Sequence, residues 1–144
     1  MNELTIQELS NSDLIRSRIF TIRGVQVMLD KDLAELYGVA TKALNQAVKR
    51  NIERFPERYM FQLNKDDVAN MRSQIVTLNS DDPGSILRSQ IVTSRWGGTR
   101  YLPYAFTEHG IIMLASVLNS PTAVEASVRI TDTFVAMRKT LASI

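Results

Sequence analysis

The residue pattern predicts an α+β fold: small β-hairpins packed with a helix-turn-helix and two C-terminal helices. Three observations carry that expectation. Isoleucine and valine alternate with other residues on either side of Arg23-Gly24, as in a hairpin. Residues 30–51 read as two short helices separated by Gly38. Beyond Thr107 the apolar residues recur at helical spacing. A length of 144 residues suits one domain with its own core. Residues 1–14 are expected to form an N-terminal arm, and residues 15–144 a single domain that includes its C-terminal helix.

The elements follow in order. The first thirteen residues carry Glu3, Glu8 and Asp13 with no base, which suits a solvated arm or short helix. Residues 17–29 hold two short strands. Asp30 offers an N-cap to a helix running to about Tyr37, and Gly38 is its stop. Thr41 is a second N-cap candidate. After it, Leu44, Val48, Ile52 and Phe55 lie within about 80° of one another on a helix, which Pro56 ends. Residues 58–63 are strand-like, and Asn64 with Asp67 forms a capping pair for a short helix to about Arg72.

Residues 73–105 are poor in helix signals. The hexapeptide Arg-Ser-Gln-Ile-Val-Thr occurs at 72–77 and again at 88–93. Two copies are too few for a solenoid, so a local tandem duplication is the better account. A loop at 79–84 separates the copies, and residues 95–99 make another turn. Thr107 caps a helix that is apolar on most sides. Ser120 caps the last helix, with Pro121 in its first turn. That helix has two apolar stripes: Val124, Val128 and Val135, and then Ile130, Phe134, Met137 and Leu141. Either it packs on two neighbours or one stripe meets another subunit.

Composition narrows the chemistry. The chain is 44% hydrophobic and 22% charged, as in a globular protein. The absence of cysteine removes disulfides, thiol nucleophiles, iron–sulfur clusters and cysteine zinc sites. The single histidine, His109, reads as a helix-start residue. No catalytic residue, metal or cofactor is assigned, because no nucleophile triad, phosphate loop or ligand cluster appears. The pairs Asp30/Asp32 and Asp66/Asp67 fall where helix N-termini favour acids. No apolar run is long enough to span a membrane, so a cytoplasmic, non-enzymatic protein without a membrane partner is expected.

Residues 30–51 carry the functional signal. Ala34 is small where two helices must cross, Gly38 allows the reversal, and Val39 plugs the angle. Leu33, Leu44 and Val48 supply the shared core. With Leu44 inward, Lys42, Gln46 and Lys49 point away, and Asn45 and Arg50 flank them. Asn and Gln pair with adenine edges, whereas Lys and Arg reach guanine or phosphate. Thr41, Lys42, Asn45 and Gln46 occupy the first turns, which usually meet base edges. The alternative is an ordinary helical hairpin with a solvated polar face.

A second basic element lies at residues 83–107, where Arg88, Arg95 and Arg100 meet no acid. Arg95 and Arg100 bracket Trp96-Gly97-Gly98 at a turn suited to phosphate or minor-groove contact. Trp96 packing onto its own domain is the competing reading. The net charge of +2 hides a division. Residues 41–60 and 83–107 each carry +3, and the rest carries −4.

The segments Arg18-Ile19-Phe20, Ile22-Arg23-Gly24-Val25-Gln26-Val27-Met28-Leu29-Asp30 and Asp32-Leu33-Ala34-Glu35-Leu36-Tyr37-Gly38-Val39 resemble the opening of the phage KilA-N superfamily, in its open-reading-frame-six N-terminal branch. Asn45-Gln46-Ala47-Val48-Lys49-Arg50-Asn51, Arg54-Phe55-Pro56, Trp96-Gly97-Gly98 and Tyr101-Leu102-Pro103-Tyr104-Ala105-Phe106-Thr107-Glu108 extend the resemblance over roughly residues 15–140. His109 stands where that family usually has Gln, and the duplication lengthens the segment ahead of Trp96. The resemblance implies a DNA-binding module of phages and prophages, often near repressor or antirepressor functions.

Together these readings lead to one expectation: sequence-specific binding of double-stranded DNA by a transcriptional regulator or antirepressor module. Thr41, Lys42, Asn45, Gln46, Lys49, Arg50, Arg95 and Arg100 are the expected DNA-binding residues, and the C-terminal helix is a homodimer contact. The alternative is an interaction module that captures a repressor or other regulator protein without binding DNA.

Overall fold

A computed structural model describes residues 13–78 and 102–142, apart from the side chains of 75–78 and 141–142. The architecture is α+β. After a helical turn at residues 13–17 come β1 (Phe20–Ile22), β2 (Val25–Leu29), α1 (Asp30–Tyr37) and α2 (Thr41–Arg50). A 3₁₀ turn (Ile52–Arg54), β3 (Met60–Gln62) and α3 (Lys65–Leu78) follow. Then come β4 (Tyr104–Phe106), α4 (Glu108–Leu118) and α5 (Pro121–Ala142). The four strands form one antiparallel sheet in the order β1-β2-β4-β3.

The sheet is the middle of three layers, and strand alternation sorts the side chains between its faces. Met28, Met60 and Phe106 face one side, where they join Leu33, Ala34, Tyr37, Leu44, Val48, Ile111, Leu114, Ile130 and Phe134 of the helices. Val27, Leu29 and Ala105 face the other side, packing with Phe20, Ile22, Leu63 and Met71 under α3. Strand β2 is therefore buried on both faces over Val27–Leu29.

The hairpin turns on two residues of positive φ, Arg23 at 54° and Gly24 at 80°, and Ile22 pairs with Val25. Two left-handed residues match the twist of the flanking strands. Arg23 holds this conformation while its guanidinium lies 4.5 Å from the Phe61 ring and 2.8 Å from Asp67. Asp67 also completes the expected capping pair. Its main-chain N–H donates to Asn64 Oδ1 at 2.8 Å, and the Asn64 N–H donates to Asp67 Oδ2 at 2.9 Å.

Four local expectations change. Asp30 and Thr41 are the first residues of their helices rather than the caps. Leu29 and Ala40 hold the cap positions, with no side-chain cap bond. Helix α2 ends at Arg50, short of Pro56, because Asn51 leaves helical geometry at φ −124° and its amide donates to the Ala47 carbonyl. Ile52 accordingly falls off the apolar stripe and is exposed. Helix α3 runs to Leu78 rather than stopping near Arg72, so the first hexapeptide copy is helical. Met71 is fully buried beneath the sheet, and the Gln74 side chain bonds to both the N–H and the carbonyl of Thr21 on β1. Docking of this kind overrides the weak helix propensity of Ile-Val-Thr. The second copy, at 88–93, lies outside the described residues.

In α5, Ile130 and Phe134 are buried, as are Ala123 and Ala126. Val124 and Val128 stand exposed on another face. The expected caps of α4 and α5 are present: Thr107 Oγ1 accepts from Gly110 N, and Ser120 Oγ from Ala123 N. Among the described residues no helix is long and apolar enough to cross a membrane.

Candidate nucleic-acid interface

Helices α1 and α2 are joined by a tight turn. Gly38 takes φ +71°, its N–H donates to Glu35 O, and Val39 N–H donates to Ala34 O at 3.0 Å. These two bonds make a Schellman-type stop. Ala34 is 2% exposed and Leu33 and Leu44 are fully buried, so the two helices share the core that their spacing predicts.

Leu44 and Val48 hold α2 down by one side. On the other, Lys42, Gln46, Lys49 and Arg50 are all exposed. Lys42, Gln46 and Lys49 lie within about 60° at 100° per residue. Among the described residues no ion pair joins Lys42, Lys49 or Arg50 to an acid. Elsewhere the pattern differs: Arg18 is paired with Asp32 and Glu35, Arg23 with Asp67, Arg129 with Glu125, and Arg138 with Glu108. Among the described residues the outer face of α2 thus keeps its positive charge unneutralised, while Arg18, Arg23, Arg129 and Arg138 spend theirs on the fold.

Two of the expected residues sit differently. Thr41 is half-buried at the helix start. Asn45 is also half-buried, and its Nδ2 donates to Asp30 Oδ2 at 3.1 Å instead of pointing outward with Gln46. Arg95, Arg100 and Trp96 lie outside the described residues.

The residue that the sequence reading missed is Asp30. Taken there as a cap, it is wholly buried, and it accepts from Lys31 N at 2.8 Å, from Asn45, and from Tyr104 N at 3.4 Å. An Asp at a helix start is so common that no local signal marks this one.

In the loop before β3, exposed Arg58 lies 5.3 Å from the Tyr59 ring. That ring stacks on His109, which is exposed in the first turn of α4. A notch of about 50 Å³ lined by Asn45, Val48, Lys49, Ile52, Met60 and Tyr104 is far below the size of a small-molecule site. Among the described residues no three His, Asp or Glu side chains gather as a metal site.

A family model of the ORF6N domain matches residues 17–117. No curated protein and no solved structure matches the chain. The matched span ends within α4, so α5 falls outside it although α5 contributes Ile130 and Phe134 to the main core.

Proposed function

The chain belongs to the ORF6N domain family, which is phage-associated, and from that premise we propose that it binds double-stranded DNA through α2. In this reading α1 and α2 form a helix-turn-helix of the KilA-N type. Lys42 and Gln46 meet base edges in the major groove, with Thr41 at the helix start. Lys49 and Arg50 neutralise phosphates and release counterions. Arg95 and Arg100 add backbone contacts, and the biological role is that of a transcriptional regulator or antirepressor.

The observation that carries the proposal is the outer face of α2. It presents three exposed bases free of acidic partners among the described residues, together with one exposed amide, on a helix whose inner side is anchored by Leu44 and Val48. Solvated polar faces are ordinary, but Arg18, Arg23, Arg129 and Arg138 are each matched to an acid, in contrast to this face. Selection of bound sequences from a random duplex pool, followed by mobility shifts over a range of salt, tests it. An enriched consensus with salt-dependent affinity is expected. Equal retention of all sequences, or none, overturns it.

Self-association through α5 belongs to the same proposal, supported by exposed Val124 and Val128 one turn apart. Light scattering of the purified chain distinguishes dimer from monomer, and a palindromic consensus would agree with a dimer.

A further inference from the structure

We infer that Asp30 and Asn45 form a positioning pair that sets the angle of α2 on α1 and the sheet, so that Asn45 aims the reading face and does not read bases itself. The role in DNA recognition rests on the proposed function above; the pair itself does not.

Asp30 is wholly buried, and its carboxylate meets three elements. Oδ1 accepts from Lys31 N in the first turn of α1, at 2.8 Å. Oδ2 accepts from Asn45 Nδ2 of α2 at 3.1 Å and from Tyr104 N of β4 at 3.4 Å. The start of a helix favours an acid. That preference accounts for a carboxylate at this position but not for its burial or its aim across to α2. A buried carboxylate is tolerated only where donors surround it, so each donor becomes a geometric requirement.

Leu44 and Val48 give α2 affinity for the core, but apolar contact alone leaves a helix free to roll by a fraction of a turn. Asn45 lies between them in sequence, and its hydrogen bond has a direction. Fixing Asn45 therefore fixes its neighbour Gln46 and, on the same face, Lys42 and Lys49. The residue type also fits. Glutamine is one methylene longer, and aspartate would set a second carboxylate against Asp30.

The pair is tested by comparing the wild-type chain with Asn45→Ala, Asn45→Asp, Asp30→Asn, the Asp30→Asn/Asn45→Ala double variant, and Gln46→Ala. The probe is a duplex carrying the sequence that the wild-type chain enriches from a random pool. Asn45→Ala and Asp30→Asn are each expected to weaken binding to that duplex about tenfold, as for loss of a charge-assisted hydrogen bond. The bases preferred should stay unchanged, and the double variant should be no worse than the poorer single one. Asn45→Asp should be worse than Asn45→Ala. Gln46→Ala should instead relax preference at one base pair. If Asn45→Ala changes preference at a single position while Asp30→Asn leaves affinity intact, Asn45 is a reader and the inference fails.

Two readouts do not depend on DNA. Urea unfolding of the same set should show strongly non-additive losses for positions 30 and 45, and additive losses would overturn the pair. In the wild-type chain the Asn45 side-chain amide protons should exchange with solvent more slowly than those of Gln46. Equal rates would overturn the pair even if Asp30→Asn fails to fold. If the wild-type chain enriches no sequence while these two readouts hold, the DNA-binding reading is what fails.

Discussion

A Cβ placed on Gly110 would stand 2.1 Å from the carbonyl oxygen of Tyr59. That same oxygen accepts the Thr107 N–H at 3.0 Å, so the loop before β3 is clamped directly onto the first turn of α4. The obstacle is backbone, which cannot swing aside as a flexible side chain can. Gly110→Ala is therefore expected to destabilise the fold by about 3 kcal/mol, as overpacking at a rigid contact does. Urea unfolding of the variant checks this, and a loss below about 0.5 kcal/mol would show that the loop can move away.

Helix α5 should be indispensable even though the family match stops before it. Phe134 is 1% exposed and packs in the main core. Phe134→Ala is expected to cost about 3–5 kcal/mol. A chain ending at Asn119 should lose its cooperative unfolding transition, as followed by circular dichroism.

The residues proposed to contact phosphate should separate from the one proposed to read bases. Lys49→Ala and Arg50→Ala are expected to weaken every duplex alike and to lower the slope of log affinity against log salt by about one each. Gln46→Ala should cost about 1–3 kcal/mol on the preferred sequence and little on others. Mobility shifts at several salt concentrations distinguish the two patterns.

Acid sensitivity should trace in part to Asp67. Burial pushes its carboxyl up, but the Arg23 hydrogen bond, the Asn64 main-chain N–H and the Arg23 charge together outweigh that and hold it below the ordinary 3.8. A lowered value means the fold gains from the ionised form. That contribution is complete above the unfolded value near 3.8 and is lost as the pH falls through the lower folded one. Urea unfolding between about pH 5 and pH 2 should show a shallower acid decline for Asp67→Asn than for the wild-type chain.

Among the described residues the buried Tyr37 hydroxyl has no hydrogen-bond partner, and burial pushes its ionisation well above the ordinary 10.0. Tyr37→Phe removes an unsatisfied group while keeping the ring, so it should stabilise the fold by about 1 kcal/mol. The neutral phenol is the form the fold prefers. Its contribution is therefore whole below about pH 10 and declines above it. A phenolate titration of the two chains should show one tyrosine of the wild type ionising only as the fold opens.

Features decided within one turn of chain were readable from residues alone. The Arg23-Gly24 hairpin, the Gly38 stop, the Asn64/Asp67 capping pair and the caps at Thr107 and Ser120 each depend on neighbours three to five residues apart. The inward set Leu33, Ala34, Leu44 and Val48 was readable for the same reason, since helical period alone assigns a face. With it came the outward exposure of Lys42, Gln46 and Lys49.

Whatever depended on a distant surface was decided only by packing. Ile-Val-Thr at 75–77 has weak helix propensity, yet α3 continues through it because Met71 and Gln74 dock on a sheet whose strands come from other parts of the chain. Asn45 and Gln46 are neighbours with the same chemistry, and periodicity places both near the outer face. The one that turns inward is the one with a buried carboxylate within reach, and Asp30 is fifteen residues away. A one-dimensional pattern specifies which side of a helix is apolar, because burial repeats with the backbone period. It does not specify which polar group a directional bond will capture, because that bond needs the three-dimensional meeting of α1, α2 and β4.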